Sequence, residues 1–204
     1  MQDSIRNLMT LGLILGAVLT GSAPSEAAPA AARSINLTLA DLPSGFAQRA
    51  NIVKNAQEIA NSSNGQLSLT QVTQEGILQS TEEVFTASHD PKVGLSQVYF
   101  DTILFQTAAD ARADLSRTIA GTHRLAASLG VKVAFLSVAG VGASQAGWRV
   151  PEKAPNKPTM IQDAVVFYRG RYEVSLSVMY NVKDTFSQAL AFARIVDARI
   201  KAAG

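Results

Sequence analysis

The chain contains no cysteine. That excludes disulfides, thiolate nucleophiles, Cys-ligated zinc, iron–sulfur clusters and the lipidated cysteine of a bacterial lipoprotein. Histidine is nearly absent: His89 and His123 are the only two. They form no H-x-H or H-x-x-x-H pair, so no zinc-ligand pattern is present and no cofactor is implied. Charged residues make up only 17% of the chain, the net charge is +2, and Lys and Arg nowhere cluster. A dense basic face for nucleic acid is therefore missing. No G-x-S-x-G elbow occurs, and Gly140-x-Gly142 reads as a turn, not as a phosphate cradle opening a helix. Nor does any apolar run reach the roughly 20 residues needed to span a bilayer.

What is there begins with a leader. Arg6 supplies a basic n-region, Leu8 to Leu19 an apolar stretch of 12 residues, and Gly21 to Ser25 a break. Small residues then suit signal-peptidase cleavage after Ala27 or Ala30. We expect residues 1–30 to be a removable signal peptide and 31–204 a single domain, exported to the periplasm or beyond, with no transmembrane anchor after cleavage. Lacking disulfides, that domain must be held by its core, and it is long enough to build one.

Hydrophobic periodicity predicts the elements. A short strand is expected at 36–39, a turn at Asp41-Leu42-Pro43-Ser44-Gly45-Phe46, and a helix over 47–60 from the spacing of Ile52, Ala56 and Ile59. Leu67 and Leu69 alternate, predicting a strand over 66–73. Strands are predicted over 82–88 and 95–105. A helix is predicted over 107–129, with Thr107 as N-cap and Asp110 in capping-box position. Extended segments follow at 131–138 and 143–150, then a proline-rich loop at 151–158. The strongest β signal is a hairpin of 161–168 and 172–180 around Arg169-Gly170-Arg171. Tyr172, Val174, Leu176, Val178 and Tyr180 share its buried face, while Glu173, Ser175, Ser177 and Met179 read as at least half solvated. A last helix is predicted from Asp184 to Ala202. The expected fold is α+β, a two-layer sandwich of a mainly antiparallel sheet with helices packed on one face.

Three stretches carry a resemblance. Asp41-Leu42-Pro43-Ser44-Gly45-Phe46 is similar to a D-L-P-x-G-F motif. Val141-Gly142-Ala143-Ser144 is similar to V-G-D-E-S, and Val165-Val166-Phe167-Tyr168-Arg169-Gly170 to V-V-F-R-R-G. In that order they resemble a loose group of exported bacterial proteins. Ala143 stands where the group has an acid, and Arg171 where it has Asn. The resemblance implies an exported α+β domain and no particular chemistry. A looser architectural analogy is to the PsbP-like lumenal proteins.

Candidate chemistry is thin. Glu82 and Glu83 are strand neighbours, so they point to opposite faces and cannot act as an acid–base pair. Tyr168, Arg169, Arg171 and Tyr172, with Trp148, are the candidate ligand-binding residues, because exposed aromatics and arginines anchor interfaces. The reading is a non-catalytic binding or interaction module for a small ligand or an envelope protein. Its site is the sheet face bearing Val166, Tyr168 and Met179, or a cleft between helix and sheet. The alternatives are a small serine hydrolase using His89 or His123, and an accessory subunit of a membrane-bound complex on its outer side.

Overall fold

The computed structural model describes residues 34–63, 67–88, 94–129, 132–152, 160–181 and 186–203. Seven strands, β1 (Phe46–Asn55), β2 (Ile77–Ala87), β3 (Gly94–Phe105), β4 (Ala134–Leu136), β5 (Ser144–Glu152), β6 (Met160–Arg169) and β7 (Tyr172–Asn181), form one antiparallel sheet in the order β1-β2-β3-β7-β6-β5-β4. Among the described residues, the sheet is accompanied by the helices α1 (Ala56–Ser62), α2 (Leu69–Gln74), α3 (Ala108–Leu129) and α4 (Phe186–Ala203). The α+β class is therefore as the sequence implies. Among the described residues no helix is long and apolar enough to cross a membrane. The expected leader, the turn at His89, the proline-rich stretch from Lys153 to Pro158 and the Asp184 cap lie outside the described residues.

The β6–β7 hairpin sits at the centre of the register, with Arg169 paired to Tyr172 across Gly170, whose φ is +56°. Val174, Leu176, Val178 and Tyr180 are fully buried, and with Val165, Phe167 and α4 they form the largest apolar cluster. At the far end of that face, Ile35, Leu37 and Leu42 join the same cluster. Arg199 of α4 ties this N-terminal stretch down, donating to the Asn36 carbonyl (2.6 Å) and to both Asp41 oxygens (2.9 and 2.8 Å). Residues 36–39 are not a strand. They lead into a 3₁₀ turn at Leu39–Asp41, whose Asp41 carboxylate accepts from the Thr38 N–H.

Two further expectations give way. The helix predicted over 47–60 is strand β1 as far as Asn55, because the segment finds a partner along its whole length in β2. Only then does α1 begin, where Asn55 and Glu58 cap each other reciprocally (3.0 and 2.8 Å). The strand predicted over 66–73 is instead the short helix α2. There the Ser68 and Gln71 side chains satisfy each other's backbone N–H groups, which outweighs the two-residue alternation of Leu67 and Leu69. The Thr107–Asp110 box at the start of α3 forms as predicted, at 3.1 Å in each direction.

Helices cover both faces of the sheet, where one covered face was expected. α4 packs on the face of Val174 and Leu176. α3 packs on the opposite face, where Leu115 meets Trp148, Val150, Ala164 and Val166. The physical reason is polar matching. Glu173 and Ser177 look solvated in sequence, yet both are buried beneath α3, whose inward stripe carries Asp114, Thr118 and Thr122 beside Ala111 and Leu115.

Gly142, of the Val141-Gly142 stretch, has a φ of +63°, and a Cβ there would meet Phe167 Cβ and the Tyr168 carbonyl, each at 2.8 Å. Gly170 shares the left-handed backbone but faces open space. Gly170→Ala should therefore cost about 1–2 kcal/mol from backbone strain alone. Gly142→Ala adds overpacking against two immobile groups and should cost about 2–4 kcal/mol in total. Urea unfolding of both variants checks the ranking, and equal midpoints would contradict it.

Candidate functional site

The register brings chemistry together on the α3 face. One cross-strand row reads Ile52–Glu82–Asp101–Ser175. The next reads Ala50–Val84–Tyr99–Ser177, and the row on the other side Lys54–Ser80–Ile103–Glu173. Lys54, Asp101 and Glu173 thus lie on one face of three strands, with Glu82 between the first two. Asp114 of α3 projects toward the same floor, and Asp101, Asp114 and Glu173 are all buried.

Thr118 donates to Glu173 Oε1 at 3.2 Å. The Tyr99 hydroxyl is shut off from solvent and makes no hydrogen bond among the described residues, while the Glu173 and Asp114 carboxyls lie within hydrogen-bond reach of each other. Arg117 holds Asp114 at 2.7 Å and reaches Glu75 at 3.7 Å, bridging α3 to the end of α2. Lys54 is 6% exposed and donates to the Ser62 hydroxyl at 3.4 Å.

Charge is scarce in this setting, so proton affinities move. Burial, reinforced by the Glu82 charge, raises the Asp101 carboxyl to about 8. Burial, then the Asp114 carboxylate, raises Glu173 to about 9. Burial raises Glu82 against the pull of Lys54, and raises Asp114 despite its bond to Arg117. The Tyr99 phenol is pushed well above its usual value by burial and by Asp101 and Glu82. Lys54 is lowered by burial, with Glu82 and Asp101 opposing. Near neutral pH, Asp101 and Glu173 are thus mostly uncharged acids.

The floor is not fully roofed. Ile52, Glu82, Val84 and Tyr99 are each half-buried, and none belongs to the three apolar clusters. α1 contacts β1 and β2, and α3 contacts β3 and β7. These four are the less covered residues of that floor. Among the described residues no group of three or more His, Asp or Glu is placed to hold a metal ion.

The five residues expected as a patch are dispersed by the same register. Trp148 is 3% exposed, inside the cluster under α3. Tyr172 is on the opposite face, packed against the α4 cluster. Arg169 clamps Asp197 through two nitrogens and also donates to the Gly142 carbonyl at 3.0 Å. Arg171 donates to the Phe105 carbonyl at 2.7 Å. Tyr168 stays accessible, lining an open depression of about 440 Å³ with Ala109, Arg112 and Ser116 near the start of α3. Of the outer-face trio, Val166 is fully buried, while Tyr168 and Met179 are half-buried. His123 stacks on Phe135 at 3.9 Å, and no described hydroxyl or carboxylate bonds to it; His89 lies outside the described residues.

Sequence reasoning missed the carboxyl row. Its signal was present in Asp101, an acid inside a run of strong β-formers, and in Glu173, immediately before the buried Val174. Linking them required the strand order.

No family model matches the chain, and no curated protein matches it. Among solved structures, the fold is similar to the extracellular domain of PknH from Mycobacterium tuberculosis. The match has a TM-score of 0.51 at 13% identity, and covers 89% of this chain and 100% of that one. At that identity the likeness is one of fold, an antiparallel sheet with its helices, carried over nearly the whole of both chains.

Proposed function

We propose that this protein is an exported binding module that takes a small ligand in the cleft on the α3 face, with Glu82, Tyr99 and Asp101 on its floor. The observation that carries this reading is the buried, unpartnered Tyr99 hydroxyl beside a carboxyl kept neutral by burial. Buried polar atoms are almost always hydrogen-bonded, and a strongly perturbed acid in a cleft marks a functional site. Export is supported by the three-part leader at 1–30 and by the likeness in fold to a domain that works outside the cell. The accessible Tyr168, beside Arg112, extends the ligand-facing part of the same side.

Native mass spectrometry of protein purified from its own host tests the reading. The expected result is a retained small molecule that is lost from Asp101→Asn. Protein that is bare of ligand in both forms and co-purifies in a fixed ratio with another envelope chain would replace it with an accessory-subunit role.

A further inference from the structure

We infer that the ligand of this cleft is an organic ammonium of the linear diamine or polyamine class, received by Glu82, Asp101 and the Tyr99 hydroxyl; the inference rests on the binding reading above. The first support is a charge deficit. Four acids, Glu82, Asp101, Asp114 and Glu173, converge on the floor with two cations, Lys54 and Arg117. Arg117 is committed to Asp114 and Glu75. A buried carboxylate needs a counter-charge. The protein meets that need with protons, and an incoming ammonium would meet it better.

The second support is independent of the acids. The Tyr99 oxygen can accept a hydrogen bond from an ammonium N–H, and nothing among the described residues occupies that role. Third, the row already accommodates one alkylammonium. Lys54 is 6% exposed at its β1 end, under the fields of Glu82 and Asp101. A ligand amine would do at the centre what Lys54 does at the edge.

The shape selects the class. Glu82 and Asp101 sit directly opposite each other on neighbouring strands, so their backbones are about 4.8 Å apart. Glu173 lies one strand beyond Asp101, in the adjacent row on the same face. The acids are strung in a row and not gathered around a point, in keeping with the absence of a metal-holding group among the described residues. Amines joined by three or four carbons repeat on a similar length. Methylenes between them would lie on Ile52 and Val84, which are half-buried and unclaimed by any apolar cluster. Tyr99, half-buried in the same row, adds an aromatic ring, a group that attracts cations over its face.

Binding has a proton signature. An ammonium is best held by the ionised form of Asp101, so the carboxyl proton leaves for solvent as the ligand enters. Below pH 8, one proton released per ligand makes affinity rise about tenfold per pH unit.

Isothermal titration of the full chain with spermidine and with 1,4-diaminobutane tests this, using 1,4-butanediol and Mg²⁺ as controls. Both amines should bind, with the tenfold-per-unit rise between pH 6 and 7.5, and the controls should not. Glu82→Gln is nearly isosteric at a partly exposed position and should fold as the parent does; it should weaken spermidine at least tenfold, and Tyr99→Phe should weaken it severalfold. No heat from either amine, equal binding of Mg²⁺, or unchanged affinity in Glu82→Gln overturns the amine assignment. If the amines fail but the host-purified protein carries a neutral or anionic molecule that Asp101→Asn loses, only the ligand class is wrong. If nothing is retained and nothing binds, both readings fall.

Discussion

Raising the pH from 5 to 8.5 lowers the thermal midpoint of this protein by roughly 10 °C or more. The sign follows from the buried acids. Asp101 binds its proton up to about pH 8 and Glu173 up to about pH 9, whereas unfolded carboxyls release theirs near 4. Between those limits the native state holds more protons than the unfolded state, so stability is full below the unfolded values and drains away as pH rises through the window. One retained proton is worth about 1.4 kcal/mol per pH unit, and a domain of this size shifts by about 2–4 °C per kcal/mol. Asp101 alone therefore supplies a fall of roughly 3–5 °C per unit.

Two groups set the acid limit with the opposite sign. Burial works against the charge of Asp41 and of Asp197, but hydrogen bonds to Arg199 and to Arg169 outweigh it and hold both carboxyls below their usual value. Their contribution is present above about pH 4 and is lost as pH falls through the depressed values. Lys54, lowered from 10.5, acts only toward the alkaline end. The optimum should lie near pH 5. Asp101→Asn and Glu173→Gln keep the shape and remove the titration, so each should flatten the profile and raise the midpoint at pH 8. A midpoint that stays level or climbs between pH 5 and 8.5 is incompatible with neutral acids under α3.

Asp197→Ala on the other face should be strongly damaging for a polar residue, at about 2–4 kcal/mol, or roughly 5–15 °C. Asp197 is 2% exposed and joins three parts of the chain. It accepts from Arg169 at the hairpin, from the Gly142 N–H at 3.0 Å, and from Lys201 at 2.8 Å one turn along α4. Alanine leaves the Gly142 N–H and the Arg169 fork without their acceptor. Arg169 is itself 27% exposed, and its recovered hydration keeps the cost below that of a fully buried pair. Asn retains one acceptor oxygen and should fall between. Differential scanning calorimetry at pH 6 measures it, and a midpoint within 2 °C of the parent would show that the clamp contributes little.

The hairpin was legible because its signal is local: period-two alternation, a glycine at the turn and β-forming residues on both sides. α3 was legible for the same reason, down to its Thr107–Asp110 cap. β1 and α2 were misread because short apolar spacings fit either period. The capping pairs Asn55/Glu58 and Ser68/Gln71 were the better guide, since each satisfies backbone groups that only a helix start leaves open. The second covered face was half visible in Ala164-Val165-Val166-Phe167, a run with no solvated side.

By itself the sequence determined the absence of cysteine chemistry, the α+β class, the central hairpin and the inward row of β7, because each depends on composition or on neighbours a few residues apart. Which acids meet, which face α3 closes, and why Trp148 and Tyr172 lie apart were decided only in three dimensions. Strand order joins residues as distant as Asp101 and Glu173, and no local rhythm encodes the burial that keeps their protons on.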